Sequence, residues 1–292
     1  MSRRLSSMRC AATMVVWMLV GCAVTNTPPD APPVDARACI QGESCDCRAS
    51  SVLPPGVHWV GADQPDGFYD PAHRVTLTRS IWVGTYEASA GCYRRCVAEG
   101  SCTEPYSGGT FTGAWPGLSD GYWRDPSARD LPIIGVEPAQ ADAYCEWLGG
   151  RLPTNAEWEK LARGEDGRDF PWLPAPADPR FPVPTPVVDA CGNATGPGLP
   201  PSGCGRALPA PIDSMPMGRG PYGHFHVIGN AREYVQDGFA PYSADDVVDP
   251  FQPPGEGNRL VRSLFAPAYA RDDRGIVGVR CAFDSEPEML AR

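Results

Sequence analysis

Cysteine is the residue type that says most about chemistry in this 292-residue chain, which holds 12 of them. Two lie near the amino terminus, and the others are Cys39, Cys45, Cys47, Cys92, Cys96, Cys102, Cys145, Cys191, Cys204 and Cys281. An even set of cysteines in an exported chain predicts a disulfide framework. Structural zinc is the alternative, but Cys45–Cys47 and Cys92–Cys96 lack zinc-ribbon spacing, and no histidine follows at the usual distance.

Two cysteine pairs are close enough in sequence for local disulfides. Cys96 and Cys102 flank the segment VAEGS, where a disulfide could clip the end of a helix. Cys191 and Cys204 flank GNATGPGLPPSG, a loop with little to pack against. Spacing alone does not determine connectivity, so both pairings are hypotheses.

Histidine is the second residue type that could bind a metal. The chain has four, His58, His73, His224 and His226. His224 and His226 could share one face of a strand, and two histidines with a carboxylate can hold iron or zinc. The commoner alternative is a pair of polar histidines near a loop.

The amino terminus reads as an export signal. Arg3, Arg4 and Arg9 precede a short apolar stretch over residues 11–20, which is too short to span a membrane comfortably. The following LVGC ends at Cys22 and resembles a bacterial lipobox. We therefore expect a signal peptide over residues 1–21, acylation of Cys22, and anchoring in the cell envelope, at the outer membrane or the periplasmic face. An ordinary secretory signal with a chance cysteine is the alternative.

Composition limits the class of protein. The formal net charge is −10 and the sequence pI is about 4.9, which argues against a nucleic-acid partner. The 34 prolines and 32 glycines predict a loop-rich body. The domains we expect after the signal are a Pro-rich tether, a Cys-rich segment, one main domain and a short tail, over residues 22–37, 38–53, 54–284 and 285–292.

Periodicity locates the elements of the main domain. Residues 54–89 alternate between apolar and polar positions with turn residues between them, which predicts strand, loop and strand. Residues 91–99 read as a helix, and a second helix begins at Pro138 and ends at Gly149. Thr154 and Glu157 form a capping box for a third, amphipathic helix that ends at Gly164.

Three blocks carry a family resemblance. QADAYCEWLGGRLPTNAEWEKLARGEDGRDFPW over residues 140–172, HVIGNAREYVQD over 226–237 and GVRCAF over 278–283 resemble signatures of the formylglycine-generating enzyme, or sulfatase-modifying factor, family. The resemblance implies one compact α+β domain, rich in loops, stabilised by disulfides and related to C-type lectin-like folds. It also implies a disulfide between Cys145 and Cys281.

The same resemblance implies a copper–thiolate oxidase, but this chain departs from it. The family's two catalytic cysteines would fall near Ala268 and Asp273, and no cysteine occurs between Cys204 and Cys281. Soft thiolates are the ligands that Cu(I) prefers, so copper is not expected. We therefore expect no catalytic residues, no formylglycine-generating activity, and a binding or scaffolding role toward an unknown protein or glycan. The alternative is a metal-dependent oxygenase with non-heme iron, or another protein-modifying enzyme of the superfamily.

Calcium is the cofactor that the resemblance favours. The family's site maps onto Glu87, Gly229, Ala231, Glu233 and His226. Calcium binds oxygen ligands, and His226 stands where the family has an oxygen donor, which weakens the site. Without calcium, we expect Glu233 to pair with an arginine such as Arg232 or Arg280.

Overall fold

The computed structural model describes residues 46–63, 70–105, 118–119, 121–168, 171, 187–188, 194–195, 209–255, 259–262, 268–269 and 277–288. The predicted signal peptide, Cys22 and the Pro-rich tether lie outside these residues, as do Cys191 and Cys204. No helix within the described ranges is both long enough and apolar enough to cross a membrane.

The strands are short and form small sheets. In chain order they are β1 (Ser50–Leu53), β2 (Gly56–Val60), β3 (His73–Leu77), β4 (Ile81–Gly84), β5 (Val187–Val188), β6 (Ala194–Thr195), β7 (Arg232–Gly238), β8 (Val247–Val248), β9 (Arg259–Arg262), β10 (Ala268–Tyr269), β11 (Val277–Gly278) and β12 (Ala282–Phe283). The sheet orders are β1-β4-β12, β10-β9-β7-β11, β2-β3-β8 and β5-β6. Neighbours are antiparallel except β7 with β11 and β3 with β8, which are parallel.

The opening strands confirm the alternation seen in the sequence. Along β3, His73, Val75 and Leu77 are buried, whereas Arg74 is exposed and Thr76 is half-buried, as a strand with one covered face requires. β1 falls in the predicted Cys-rich segment and pairs with β4 from Ser50–Gly84 to Leu53–Ile81. The segment before the main domain thus contributes a strand to a sheet of that domain.

The three helices lie where the sequence predicts them. They are α1 (Ala90–Ala98), α2 (Pro138–Trp147) and α3 (Asn155–Arg163). Pro138 occupies the first turn of α2, and the capping box of α3 is present, with Thr154 and Glu157 each accepting a backbone N–H of the other. Gly164 ends α3 at φ 68°, in the left-handed region that favours glycine.

The apolar interior forms two clusters. One lies around α1 and α2, where Tyr93 stacks on Tyr144 with ring centroids 5.6 Å apart. The other lies between α3 and the strands β2, β3 and β4, and it includes Trp158, Leu161 and Val75. All nine residues of α3 are buried, including Glu157, Glu159, Lys160 and Arg163. The amphipathic helix expected from the sequence is therefore enclosed on every side.

Disulfides connect distant parts of this loop-rich α+β domain. Cys145 at the end of α2 bonds Cys281 beside β12, and Cys96 bonds Cys102 around the end of α1, so two of the three predicted pairings are present. The remaining one, Cys191–Cys204, lies outside the described residues and stays a prediction. A third disulfide, Cys47–Cys92, joins the segment before β1 to α1 and was not predicted. Every cysteine in the described part of the chain is thus disulfide-bonded.

Candidate functional site

Glu87 lies in the buried loop between β4 and α1, and neutral donors hold it. Its Oε1 accepts a hydrogen bond from the Ala231 N–H at 2.8 Å, and its Oε2 accepts one from Asn230 Nδ2 at 2.6 Å. Gly229 and Asn230 adopt φ 87° and 59°, a turn that brings the Asn230 side chain and the next N–H toward the same carboxylate. Glycine allows that conformation without steric cost.

Glu233 on β7 has a cationic partner. Its Oε1 accepts from Arg280 Nε at 2.9 Å and from Nη2 at 2.7 Å, and its Oε2 accepts from Trp158 Nε1 at 2.7 Å. Arg280 also donates to the carbonyl oxygens of Gly84 and Phe225. The expectation that Glu233 pairs with an arginine is confirmed, and this buried pair ties β7 to the chain beside β12.

The two carboxylates differ in electrostatics. Burial raises the pKa of Glu87 to about 8, and the charge of Glu233 adds to the rise, whereas Arg280 and the donors Asn230 and Ala231 oppose it. Glu87 is therefore a carboxylic acid that titrates near neutral pH, next to a carboxylate neutralised by a guanidinium.

The predicted calcium set meets in this region, but its donors fit the ion poorly. Both carboxylates already accept hydrogen bonds from protein donors, and the donors to Glu233 include the positively charged guanidinium of Arg280. His226 has φ 50°, and its Nε2 lies 3.1 Å from the Pro211 carbonyl oxygen and 3.4 Å from Ser214 Oγ. Among the described residues, no three His, Cys, Asp or Glu side chains cluster as metal ligands. Calcium binding stays a prediction.

His224 and His226 do not share a strand face, which leaves the commoner alternative of two polar histidines near a loop. Residues 224–226 belong to an irregular segment, and the left-handed backbone of His226 is incompatible with a strand. His224 is fully buried, and its Nε2 lies 3.1 Å from the Val83 carbonyl oxygen on β4. Burial, together with the Arg280 charge, lowers the pKa of His224 to about 3, so its ring is neutral at physiological pH.

Of the two positions implied for catalytic cysteines, one lies in the described residues. Ala268 is in β10 and pairs with Val261. Asp273 lies outside the described residues, as do Leu264 and Phe265. Cys281, which follows these positions, is 4 % exposed and bonded to Cys145. No thiol in the described residues is free to bind a soft metal.

A second buried charge cluster, not anticipated from the sequence, lies on α3. Glu159 Oε1 accepts from Arg262 Nη2 at 2.7 Å, and Oε2 accepts from Arg163 Nη1 at 3.2 Å. Burial raises the pKa of Glu159, but the two guanidiniums outweigh burial and hold it below its usual value. Part of this cluster has a signal in the sequence, because Glu159 and Arg163 are four residues apart and such a pair lies on one face of a helix.

Comparison with known proteins decides the family. The chain matches the family described as "Sulfatase-modifying factor enzyme 1-like domain" over residues 37–282. It belongs to this family. The match covers the three helices, both buried carboxylate clusters and the described strands up to the first residue of β12, so these are features of a sulfatase-modifying factor domain.

The proteins that this chain resembles include enzymes with different names. The chain is 28% identical over 254 residues to the formylglycine-generating enzyme of Bos taurus, covering 71% of this chain and 63% of the bovine protein. It is 32% identical over 218 residues to the hercynine oxygenase of Mycolicibacterium smegmatis, covering 66% of this chain and 46% of that protein. The fold matches PvdO from Pseudomonas aeruginosa with a TM-score of 0.53 at 22% identity, covering 81% of this chain and 94% of PvdO.

Proposed function

We propose that this protein is a lipid-anchored envelope protein whose sulfatase-modifying factor domain binds a ligand and does not generate formylglycine. The observation that supports the loss of activity is the absence of any cysteine between Cys204 and Cys281. A Cu(I) dithiolate needs two soft sulfur ligands, and the matching positions carry Ala268 and Asp273. Cys281 cannot substitute, because its sulfur is bonded to Cys145.

The activity test uses a peptide with the sequence Cys-x-Pro-x-Arg. We expect no aldehyde product when the purified full-length protein is incubated with this peptide, Cu(I) and a reductant, and mass spectrometry measures the product. The bovine formylglycine-generating enzyme serves as the positive control. Aldehyde above the level of a sample without protein would overturn the proposal.

The lipid anchor rests on the LVGC segment that ends at Cys22. Disulfides in the described domain support an oxidising compartment, where such bonds persist. Cells fed a palmitate analogue should label the wild-type protein and not the Cys22→Ala variant. Label that survives the substitution would contradict the anchor.

A metal-dependent oxygenase is the second candidate, and the similarity to a hercynine oxygenase favours it. Against it, His224 and His226 each contact a backbone carbonyl oxygen, and they do not converge with a carboxylate in the described residues. Metal analysis of the purified protein separates the candidates. Stoichiometric iron would support the oxygenase, and stoichiometric calcium, lost in Glu87→Ala, would support the predicted calcium site.

A further inference from the structure

A cavity of about 170 Å³ lies beside the amino-terminal end of α3. Buried residues of β2, β3 and β9 form the apolar part of its lining, namely Val60, Val75 and Leu260. Exposed loop residues such as Phe251 and Gln252 also line it, so the cavity is open to solvent on that side. Among the described residues of the lining, Asp237 is the only Asp, Glu, Lys or Arg.

Five carboxylates are buried in the described part of the chain, and they differ in whether a cation balances their charge. Glu157, Glu159 and Glu233 each bond an arginine at 2.7–2.8 Å. Glu87 and Asp237 bond no arginine or lysine of the described residues. Glu87 borders a cavity of only about 20 Å³, which has room for about one water molecule. Asp237 therefore combines an unbalanced charge with space for a ligand.

The Asp237 carboxylate lies between two other residues of the cavity lining. Its Oδ2 accepts the Asn155 N–H at 2.8 Å, and its Oδ1 accepts the Gln252 N–H at 3.0 Å. Each oxygen has a second lone pair that can accept another hydrogen bond. Burial raises the pKa of Asp237 to about 6, and the charge of Glu157 adds to the rise, so the group is ionised at neutral pH. Because a buried charge without a partner is costly, a cation placed here gains affinity.

His73 supplies a second open acceptor in the lining. Its Nδ1 lies 3.1 Å from the Pro71 carbonyl oxygen, and since a carbonyl oxygen only accepts, Nδ1 carries the hydrogen. Nε2 then presents a lone pair, and it has no hydrogen-bond partner among the described residues. The cavity thus offers an acceptor besides the carboxylate.

The donors of the lining are largely directed elsewhere. Asn155 Nδ2 donates to the Tyr242 hydroxyl at 2.8 Å, and that hydroxyl lies 3.4 Å from Glu159 Oε1. The Ser243 hydroxyl donates to a carboxylate of its own loop at 3.1 Å. The exposed side-chain amide of Gln252 can donate or accept. A ligand with a positive charge and several N–H donors fits this lining better than an anion does.

The bonding of Asp237 favours an ammonium over a guanidinium. A guanidinium binds a carboxylate best through both oxygens at once, and backbone N–H groups already occupy one position on each. An ammonium is a compact charge with three donors and needs one oxygen only. An apolar cavity of about 150 Å³ holds benzene, so this cavity has room for a four-carbon chain that ends in an ammonium.

From this geometry we infer that the cavity binds a primary ammonium group on a short apolar chain, with Asp237 as its counter-ion and the chain against Val75 and Leu260. A free alkylamine and a lysine side chain of another protein share this chemistry. A second copy of this chain cannot supply the lysine, because Lys160 is its only lysine and is fully buried. This ligand class rests on the binding role proposed above. The two fail separately, since aldehyde formation would overturn that role and leave this cavity unaffected.

The test compares three probes with the same four-carbon chain, n-butylammonium, 1-butanol and pentanoate. We expect the full-length protein to bind n-butylammonium about tenfold more tightly than 1-butanol, because charge-assisted hydrogen bonds are roughly twice as strong as neutral ones. Pentanoate should bind most weakly, because its charge has the same sign as that of Asp237. The measurement is an NMR titration that follows the ring protons of His73 and Tyr242, which should shift with n-butylammonium.

Two matched variants test the counter-ion. Asp237→Asn removes the charge with little change of shape and should lower the affinity for n-butylammonium to about that for 1-butanol. Asp245→Asn removes a carboxylate from the exposed loop outside the cavity lining and should leave the preference intact. If Asp237→Asn fails to fold, the order of the three probes on the wild type decides the question.

A lysine model compound separates the two sources of the ammonium. Binding of N-acetyl-lysine-N-methylamide as tight as that of n-butylammonium would assign the group to a protein lysine, and much weaker binding would assign it to a free amine. Equal binding of n-butylammonium and 1-butanol, or no binding of either, would overturn the inference. Tighter binding of pentanoate or n-butylguanidinium, or a preference that survives Asp237→Asn, would also overturn it.

Discussion

Glu87 and Glu233 are buried in the same region, and their different partners give them different chemistry. Glu233 is bonded to a guanidinium, whereas the donors that contact Glu87 are an amide and a backbone N–H. The charge of Glu233 is neutralised by Arg280, whereas Glu87 is neutral when it holds a proton. Glu87 thus links the stability of the domain to pH.

The first prediction concerns that link. The folded-state pKa of Glu87 is about 8, against an ordinary value near 4.5, so the folded protein holds more protons between these limits. Glu87 therefore contributes stability at low pH that is lost as pH rises through about 8. Between pH 6.5 and 8 we expect the free energy of unfolding to fall by on the order of 1 kcal/mol. Urea denaturation at several pH values measures it.

Glu87→Gln is the variant that isolates this effect, because an amide does not titrate. Its free energy of unfolding should stay level from pH 6.5 to 8, whatever its absolute value. His58 and His224 have pKa values lowered by burial to about 4 and about 3, so they destabilise the fold only as pH falls below about 6.5. A slope that persists in Glu87→Gln would assign it to another group.

Residue-level reading of the sequence worked where one partner is strongly charged. Glu233 was expected to bond an arginine, and it bonds Arg280 at 2.7 and 2.9 Å. Asn230 as a partner of Glu87 was not foreseen, because it depends on the positive φ angles of residues 229–230. Glycine and asparagine are the residues that tolerate such angles, but the local sequence does not show that the turn faces Glu87, which lies 143 residues away.

At the scale of elements, α3 shows how a charged helix can be buried. Lys160 Nζ donates to the Pro54 carbonyl oxygen, and Arg163 donates to the carbonyl oxygen of Gly61. The sequence predicted the helix and its cap, because both depend on neighbours within four residues. It did not predict full burial, because partners such as Arg262 are about a hundred residues away.

The second prediction tests the cap of α3. Thr154 Oγ1 accepts the Glu157 N–H at 3.2 Å, so Thr154→Ala leaves that donor without its partner. We expect a loss of about 1 kcal/mol in the free energy of unfolding, measured by urea denaturation. Thr154→Ser keeps the hydroxyl and should lose much less. Equal losses in the two variants would show that the methyl group, and not the cap, matters here.

At the scale of the whole molecule, the described sheets have at most four strands, and disulfides join the segments between them. The Cys145–Cys281 bond was foreseen through family resemblance and Cys96–Cys102 through proximity in the sequence. Cys47–Cys92 was missed, because ten cysteines allow many pairings and neither resemblance nor proximity selected this one. The parallel pairings of β3 with β8 and β7 with β11 were missed for a similar reason, since their partners are distant in the chain.

The third prediction compares a long disulfide loop with a short one. Cys145 and Cys281 are 136 residues apart, and Cys96 and Cys102 are 6 apart. In the chain-entropy model, removing the disulfide that closes the long loop lowers the free energy of unfolding by about 5 kcal/mol. Removing the disulfide that closes the short loop lowers it by about 2 kcal/mol, because the unfolded chain regains less freedom.

Two double variants make the comparison, one with Cys145→Ala and Cys281→Ala, the other with Cys96→Ala and Cys102→Ala. Both pairs are buried, so each variant loses similar packing, and the difference in loop length remains. Urea denaturation under oxidising conditions should place the first variant about 3 kcal/mol below the second. Equal stability of the two variants would contradict the prediction. It would indicate that the unfolded chain is already compact, so that the long disulfide restricts it little.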